Sequence, residues 1–179
     1  MKFCIKGIIK AFDLPDLKIM SEYYFEKILK IDPSGIGVYD TGFLHTRFKA
    51  FHSQIEERML LRGIIALITG TYPEFGFEYF YIVDENDMLI SSGFPQHLCI
   101  PPRSNLECMH HYKINATEIY INAFENLSLK WVLVLFSQRM DDLPFIGWAN
   151  LYSIYEIIGK DIQVKTQKTM GSYAKRVGK

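Results

Sequence analysis

The sequence is poor in cysteine and proline, has no net charge and contains no long apolar run, and each shortage removes a class of protein. Three cysteines, Cys4, Cys99 and Cys108, are an odd and widely spaced set. They do not form the disulfide framework of a small secreted domain, and a reducing compartment is the simpler setting. The longest uninterrupted apolar runs resemble the six-residue stretch Trp131–Phe136, far short of the ~20 residues that cross a bilayer. Lys2, Lys6 and Lys10 interrupt the apolar segment that a signal peptide needs. The expectation is a soluble, cytoplasmic protein. With 20 Lys+Arg against 20 Asp+Glu, the chain also lacks the overall basic charge of a duplex binder. Phosphate-loop, dinucleotide-turn, His-Glu-x-x-His and Gly-x-Ser-x-Gly patterns are all missing. The carboxylate pairs Glu56-Glu57 and Asp141-Asp142 are adjacent in sequence, so their side chains diverge rather than meet on one substrate atom.

What is present is apolar surface. Hydrophobic residues make up 49% of the 179 positions and aromatics 15%, enough for one core in a chain that buries roughly 70% of its unfolded surface. The zero charge is also unevenly laid out. Every acidic residue lies at or before Asp161, whereas Lys165, Lys168, Lys175, Arg176 and Lys179 follow it. Residues 1–162 therefore carry −5 and residues 163–179 carry +5. This divides the chain into a globular α+β domain, 1–162, and a basic, flexible C-terminal tail, 163–179, whose five cations are the candidate phosphate contacts.

Local patterns fill in the domain. Residues 2–12 alternate, with Phe3, Ile5, Gly7 and Ile9 on one side and Lys2, Cys4, Lys6, Ile8 and Lys10 on the other, which predicts a half-exposed strand. Leu17, Met20, Tyr24, Ile28 and Ile31 recur at helical spacing, with Ser21 as a possible N-cap; the alternative is a strand through Tyr23, Phe25, Leu29 and Ile31. Leu44, Phe48, Phe51, Ile55 and Met59 predict an amphipathic helix whose polar side carries His45, Lys49, His52, Glu56 and Glu57. β-branched residues gather over 60–71, and the aromatic run 77–83, followed by Asp84-Glu-Asn-Asp87, predicts a hairpin over 77–92. Asn115-Ala-Thr-Glu118 has capping-box spacing ahead of a helix; 131–136 fits strand or helix equally. Trp148, Leu151, Tyr152, Tyr155, Ile158 and Ile162 predict a closing helix. Strands and helices do not alternate as βαβ units do, so the expected architecture is one small antiparallel sheet with helices packed on one face.

Three groups of residues carry candidate chemistry. His97, Cys99, Cys108 and His110 place zinc-type donors in two pairs, each with the i, i+2 spacing that points both side chains the same way in extended chain. The same residues also suit a core that holds buried cysteines and satisfied histidines, so zinc is a candidate cofactor and no cofactor is the simpler expectation. Arg47 and His52 have the Arg-x4-His spacing, and Arg103 and His110 its six-residue version; this spacing is similar to that of metal-independent ribonucleases of the helical HEPN class. That resemblance implies an arginine stabilising phosphate charge and a histidine moving a proton. It covers two residues, Phe48 replaces the usual polar neighbour, and an exposed helix face accounts for the same pair. The aromatics are the third group: 11 Tyr, 13 Phe and 2 Trp serve a core first, and an excess of tyrosine also suits a partner-facing surface. The expectation is a non-enzymatic protein-interaction or regulatory module of a soluble intracellular, prokaryotic-type system, with a protein partner or a homo-oligomer. The alternative is a nucleic-acid-directed protein, a ribonuclease using an Arg/His pair or a binder acting through its basic tail.

Overall fold

The alternation of β1 (Phe3–Ala11) puts an apolar row and a charged row on opposite sides of one strand, and the computed structural model builds the rest of the chain on that division. It describes residues 2–11, 14–42, 53–93, 114–138 and 144–166. β1 is followed by α1 (Leu14–Ile19), which opens into a single π-helical turn over Met20–Tyr24. The hairpin of β2 (Leu29–Ile31) and β3 (Gly37–Asp40) comes next, then α2 (Gln54–Thr69) and the hairpin of β4 (Phe75–Asp84) and β5 (Leu89–Gly93). Three more helices follow among the described residues: α3 (Ala116–Glu125), α4 (Leu127–Phe136) and α5 (Pro144–Thr166). The five strands form one antiparallel sheet in the order β2-β3-β1-β4-β5. The fold is α+β, as the patterning indicated.

Phe3, Ile5 and Ile9 of β1 join Tyr39, Phe77, Phe80 and Ile82 on the inner face, where Leu60, Leu61, Ile64 and Ile65 of α2 and Tyr120 of α3 pack against them. Phe77 meets both Tyr39 and Phe80 edge-on, at ring-centroid distances of 5.4 and 5.2 Å, the arrangement favoured by aromatic quadrupoles. α4 packs on α2, and α5 in turn packs on α4. Asn126 starts α4 by accepting the backbone N–H groups of Ser128 and Leu129, a side-chain N-cap.

Several expectations shift in detail. The segment predicted as one helix from Leu17 to Ile31 ends at Tyr24 and re-enters the sheet at Leu29; Ser21 does not cap it but donates its hydroxyl to the Leu29 carbonyl. The helix predicted over 44–59 and the β-branched stretch after it are one element, α2, whose N-cap is Ser53; residues 43–52 lie outside the described residues. Its phase also differs. Ile55 is exposed, while Glu57, expected on the polar side, is fully buried. Gly70 closes α2 in the left-handed conformation at φ 72°. Residues 131–136, equivocal by pattern, are helical, and α5 runs on through Thr166, past the expected start of the tail.

Candidate interaction surface on the open sheet face

The outer face of the sheet carries no helix among the described residues, and its composition follows from strand register. β1 contributes Lys6, Ile8 and Lys10. On one side Ile8 pairs with Val38 and Lys6 with Asp40; on the other, Ile8 pairs with Tyr79 and Lys6 with Tyr81, and Tyr81 pairs onward with Ser92. Lys30 lies beyond Val38 on β2. A β-bulge decides which aromatics appear here. Between Ile8 and Ile9 the register with β4 slips so that Ile9 meets Phe77 and Ile8 meets Tyr79, leaving Glu78 as the extra residue. Strand side chains alternate with period two, so without the bulge Phe77, Tyr79 and Tyr81 would share one face. With it, Phe77 and Phe80 turn into the core, and Tyr79 and Tyr81 turn outward, 58% and 38% exposed.

These residues line a groove of about 620 Å³, with Ile8, Val38, Tyr79, Tyr81 and Leu89 supplying apolar walls and Lys6 a cation. The charges are matched locally. Lys10 Nζ lies 2.8 Å from Glu78 Oε1, and Lys6 Nζ lies 3.7 Å from Asp87 Oδ1. A second groove of about 720 Å³ shares Val38 and Asp40 with the first and continues past the β2–β3 hairpin to Lys27, Asn115 and Glu118. The surface is therefore an apolar, tyrosine-bearing strip edged by alternating charges. It is not a one-signed surface of the kind that follows a phosphate backbone.

Comparison with protein-family models, curated proteins and solved structures finds no match. The site therefore rests on its own geometry.

At the end of the strip, the exposed Asp40 links β3 to β1. Its carboxylate accepts the Gly42 N–H at 2.8 Å and the Cys4 thiol at 3.0 Å. Cys4 shares the outward parity of Lys6 and Ile8 yet is wholly buried. Burial, followed by the Asp40 carboxylate, pushes its thiol pKa up to about 12. Because the thiolate is the nucleophile, Cys4 is expected to resist iodoacetamide at pH 8.5 in the folded protein and to react once denaturant is added. Peptide mapping of the alkylated residues checks this, and rapid modification of native Cys4 would contradict it.

The sequence-derived sites fare differently. Arg47, His52, Arg103 and His110, together with the zinc-type donors His97, Cys99 and Cys108, lie outside the described residues. So do Lys168, Lys175, Arg176 and Lys179, while Lys165 falls within α5. Among the described residues, no three or more His, Cys, Asp or Glu side chains are placed to hold a metal, and no helix is long and apolar enough to cross a membrane. What sequence reasoning missed is the outward pair Tyr79 and Tyr81. The strand reads as a buried run because the bulge that reverses its parity leaves no mark in hydrophobicity; a polar Glu78 between aromatics was the available sign.

Proposed function

We infer that this domain is a non-enzymatic protein-interaction module that docks its partner on the outer face of the sheet, over Ile8, Val38, Tyr79, Tyr81 and Leu89. One observation carries the reading: two tyrosines and three aliphatic side chains stand on a face that no described helix covers, around a groove, with Lys6 and Lys10 already paired to carboxylates. Tyrosine provides large contact area at small entropic cost, and anchors of this kind supply most of the affinity in protein interfaces. The balanced charge supports a protein partner over a polyanion.

Affinity capture from the source cells, with and without nuclease, tests the reading by comparing the wild type with the double variant Tyr79→Ser/Tyr81→Ser. The expected result is a retained protein that survives nuclease and is lost with the double variant, whose folding is checked by circular dichroism because Tyr81 is only 38% exposed. Retention of nucleic acid, with steep loss on raising salt, would replace this reading with the nucleic-acid one. Undiminished capture by the double variant would move the docking site elsewhere.

A further inference from the structure

Helix α5 packs on α4 as the outer layer among the described residues and carries two stripes. At 1.5 Å per residue its 23 residues span about 34 Å, against about 15 Å for the ten residues of α4 on which it rests. The inward stripe contains Gly147, Asn150 and Ile154, all buried, and Asn150 Nδ2 donates to Gln138 Oε1 at 2.6 Å beyond the end of α4. The adjoining stripe is apolar and partly exposed: Leu151 is 38% exposed, Tyr152 65%, Tyr155 56% and Ile158 40%. Isolated exposed apolar residues are ordinary, but four in one strip mark an interaction face. Leu151, Tyr155 and Ile158 follow one another at four and three residues, the spacing of a seam that packs along another helix.

We propose that this stripe is a self-association interface in which α5 packs antiparallel on α5 of a second copy, with the two-fold axis at Tyr155. The pattern is self-complementary about that residue. Antiparallel alignment brings Tyr155 against itself and sets Leu151 level with Gly159 and Tyr152 level with Ile158 of the second copy, so apolar side chains meet across the axis and Gly159 leaves room for Leu151. Such reciprocity is what an isologous dimer requires, each residue contacting the position that contacts it in return. No like charges oppose one another. Glu156 and Lys160 pair within the same helix at 3.8 Å, and Glu156 also accepts the Tyr152 hydroxyl at 3.1 Å, so both charges sit beside the strip. The four side chains offer roughly 350–400 Å² for burial, close to half of the ~800 Å² per partner of a standard interface and concentrated at its centre. This interface is separate from the outer sheet face proposed for a different partner.

Light scattering of the full chain across the micromolar range tests it, with Tyr155→Glu and Tyr155→Lys made separately and then mixed. Both substitutions fall on an exposed position, and circular dichroism checks that helix content is kept. The wild type is expected to shift from monomer to dimer with concentration. Each variant alone, placing like charges on the axis, should weaken dimerisation at least about tenfold. An equimolar mixture should recover it, because glutamate then meets lysine. A wild type that is monomeric throughout, a dimer unaffected by either substitution, or a mixture no stronger than its components would each overturn the proposal. Tyr79→Glu keeps the two surfaces apart: it should leave the dimer intact, and if it alone dissolves the dimer, the sheet face is the contact and the α5 proposal fails.

Discussion

Glu57→Ala is expected to lower the folding stability by about 3–5 kcal/mol, enough to unfold much of a domain of ordinary stability. Glu57 sits on the core side of α2 with no exposed surface, and its Oε1 accepts the hydroxyls of Tyr39 from β3 and of Tyr120 from α3, the latter at 2.7 Å. One carboxyl group thus joins the sheet to two helices. Truncation leaves two buried hydroxyls without that acceptor, at about 1–3 kcal/mol each, and adds a cavity. Tyr39→Phe and Tyr120→Phe each remove a bond to Glu57 and should cost about 1.5–3 kcal/mol, with less than additive loss in the double variant. Urea denaturation measures all four proteins; a Glu57→Ala protein within about 1 kcal/mol of wild type would show that the cluster does not hold the layers together.

The same cluster sets an alkaline limit. Burial, then the charge of Glu57, raises the pKa of both Tyr39 and Tyr120 well above the ordinary 10.0. A group whose folded pKa is raised contributes fully below its unfolded pKa, and that contribution is lost as pH climbs towards the folded value. Above pH 10 the unfolded chain releases these two protons while the folded protein keeps them, so stability falls by about 2.7 kcal/mol per pH unit from this pair. The Tyr39→Phe/Tyr120→Phe protein should lose that part of the slope.

Gly63→Ala is the second large effect, an expected loss of about 2–4 kcal/mol from a single added methyl group. A Cβ at this position would lie 1.9 Å from the carbonyl oxygen of Leu133 and 2.7 Å from its carbonyl carbon. Backbone atoms in the middle of α4 cannot swing aside as a side chain can, so the two helices must separate. Leu133 and Leu60, both fully buried, then lose packing, and the 3.1 Å bond from Lys130 to Glu56 is strained. Alanine gains about 1 kcal/mol over glycine in helix propensity, which reduces the loss without reversing it. Gly70→Ala separates the two mechanisms. There nothing lies within 4 Å of the added Cβ and only the φ of 72° resists it, so the cost should stay near 1–2 kcal/mol. Thermal unfolding ranks them, and a Gly63→Ala protein more stable than wild type would mean that α2 and α4 do not approach this closely.

The fold class was legible because β1 alternates cleanly and its neighbours carry obvious turn chemistry, as at Asp84, whose carboxylate accepts the N–H groups of Asn86 and Met88. Misjudged were the positions where tertiary contacts set the phase. Glu57 looks like surface because a charged residue on a helix ordinarily is; only the convergence of Tyr39 and Tyr120, 18 and 63 residues away, makes its burial tolerable. Ile31 follows the helical stripe of Leu17 and Met20, yet its pairing with Gly37 puts it in the sheet. The proposed docking surface was legible only as an excess of tyrosine. Its location depends on the bulge at Glu78, a feature of pairing between strands that the segment signals only by a polar residue between aromatics.

The central claim is that the outer sheet face receives a protein, and a photo-crosslinking amino acid placed at position 81 and, separately, at the exposed Leu67 on α2 tests it most directly. Irradiated in the source cells, the position-81 protein is expected to give a discrete, nuclease-resistant adduct with one other polypeptide, absent from the position-67 protein. Equal adducts at both positions, or adducts at position 81 that disappear with ribonuclease, would contradict it.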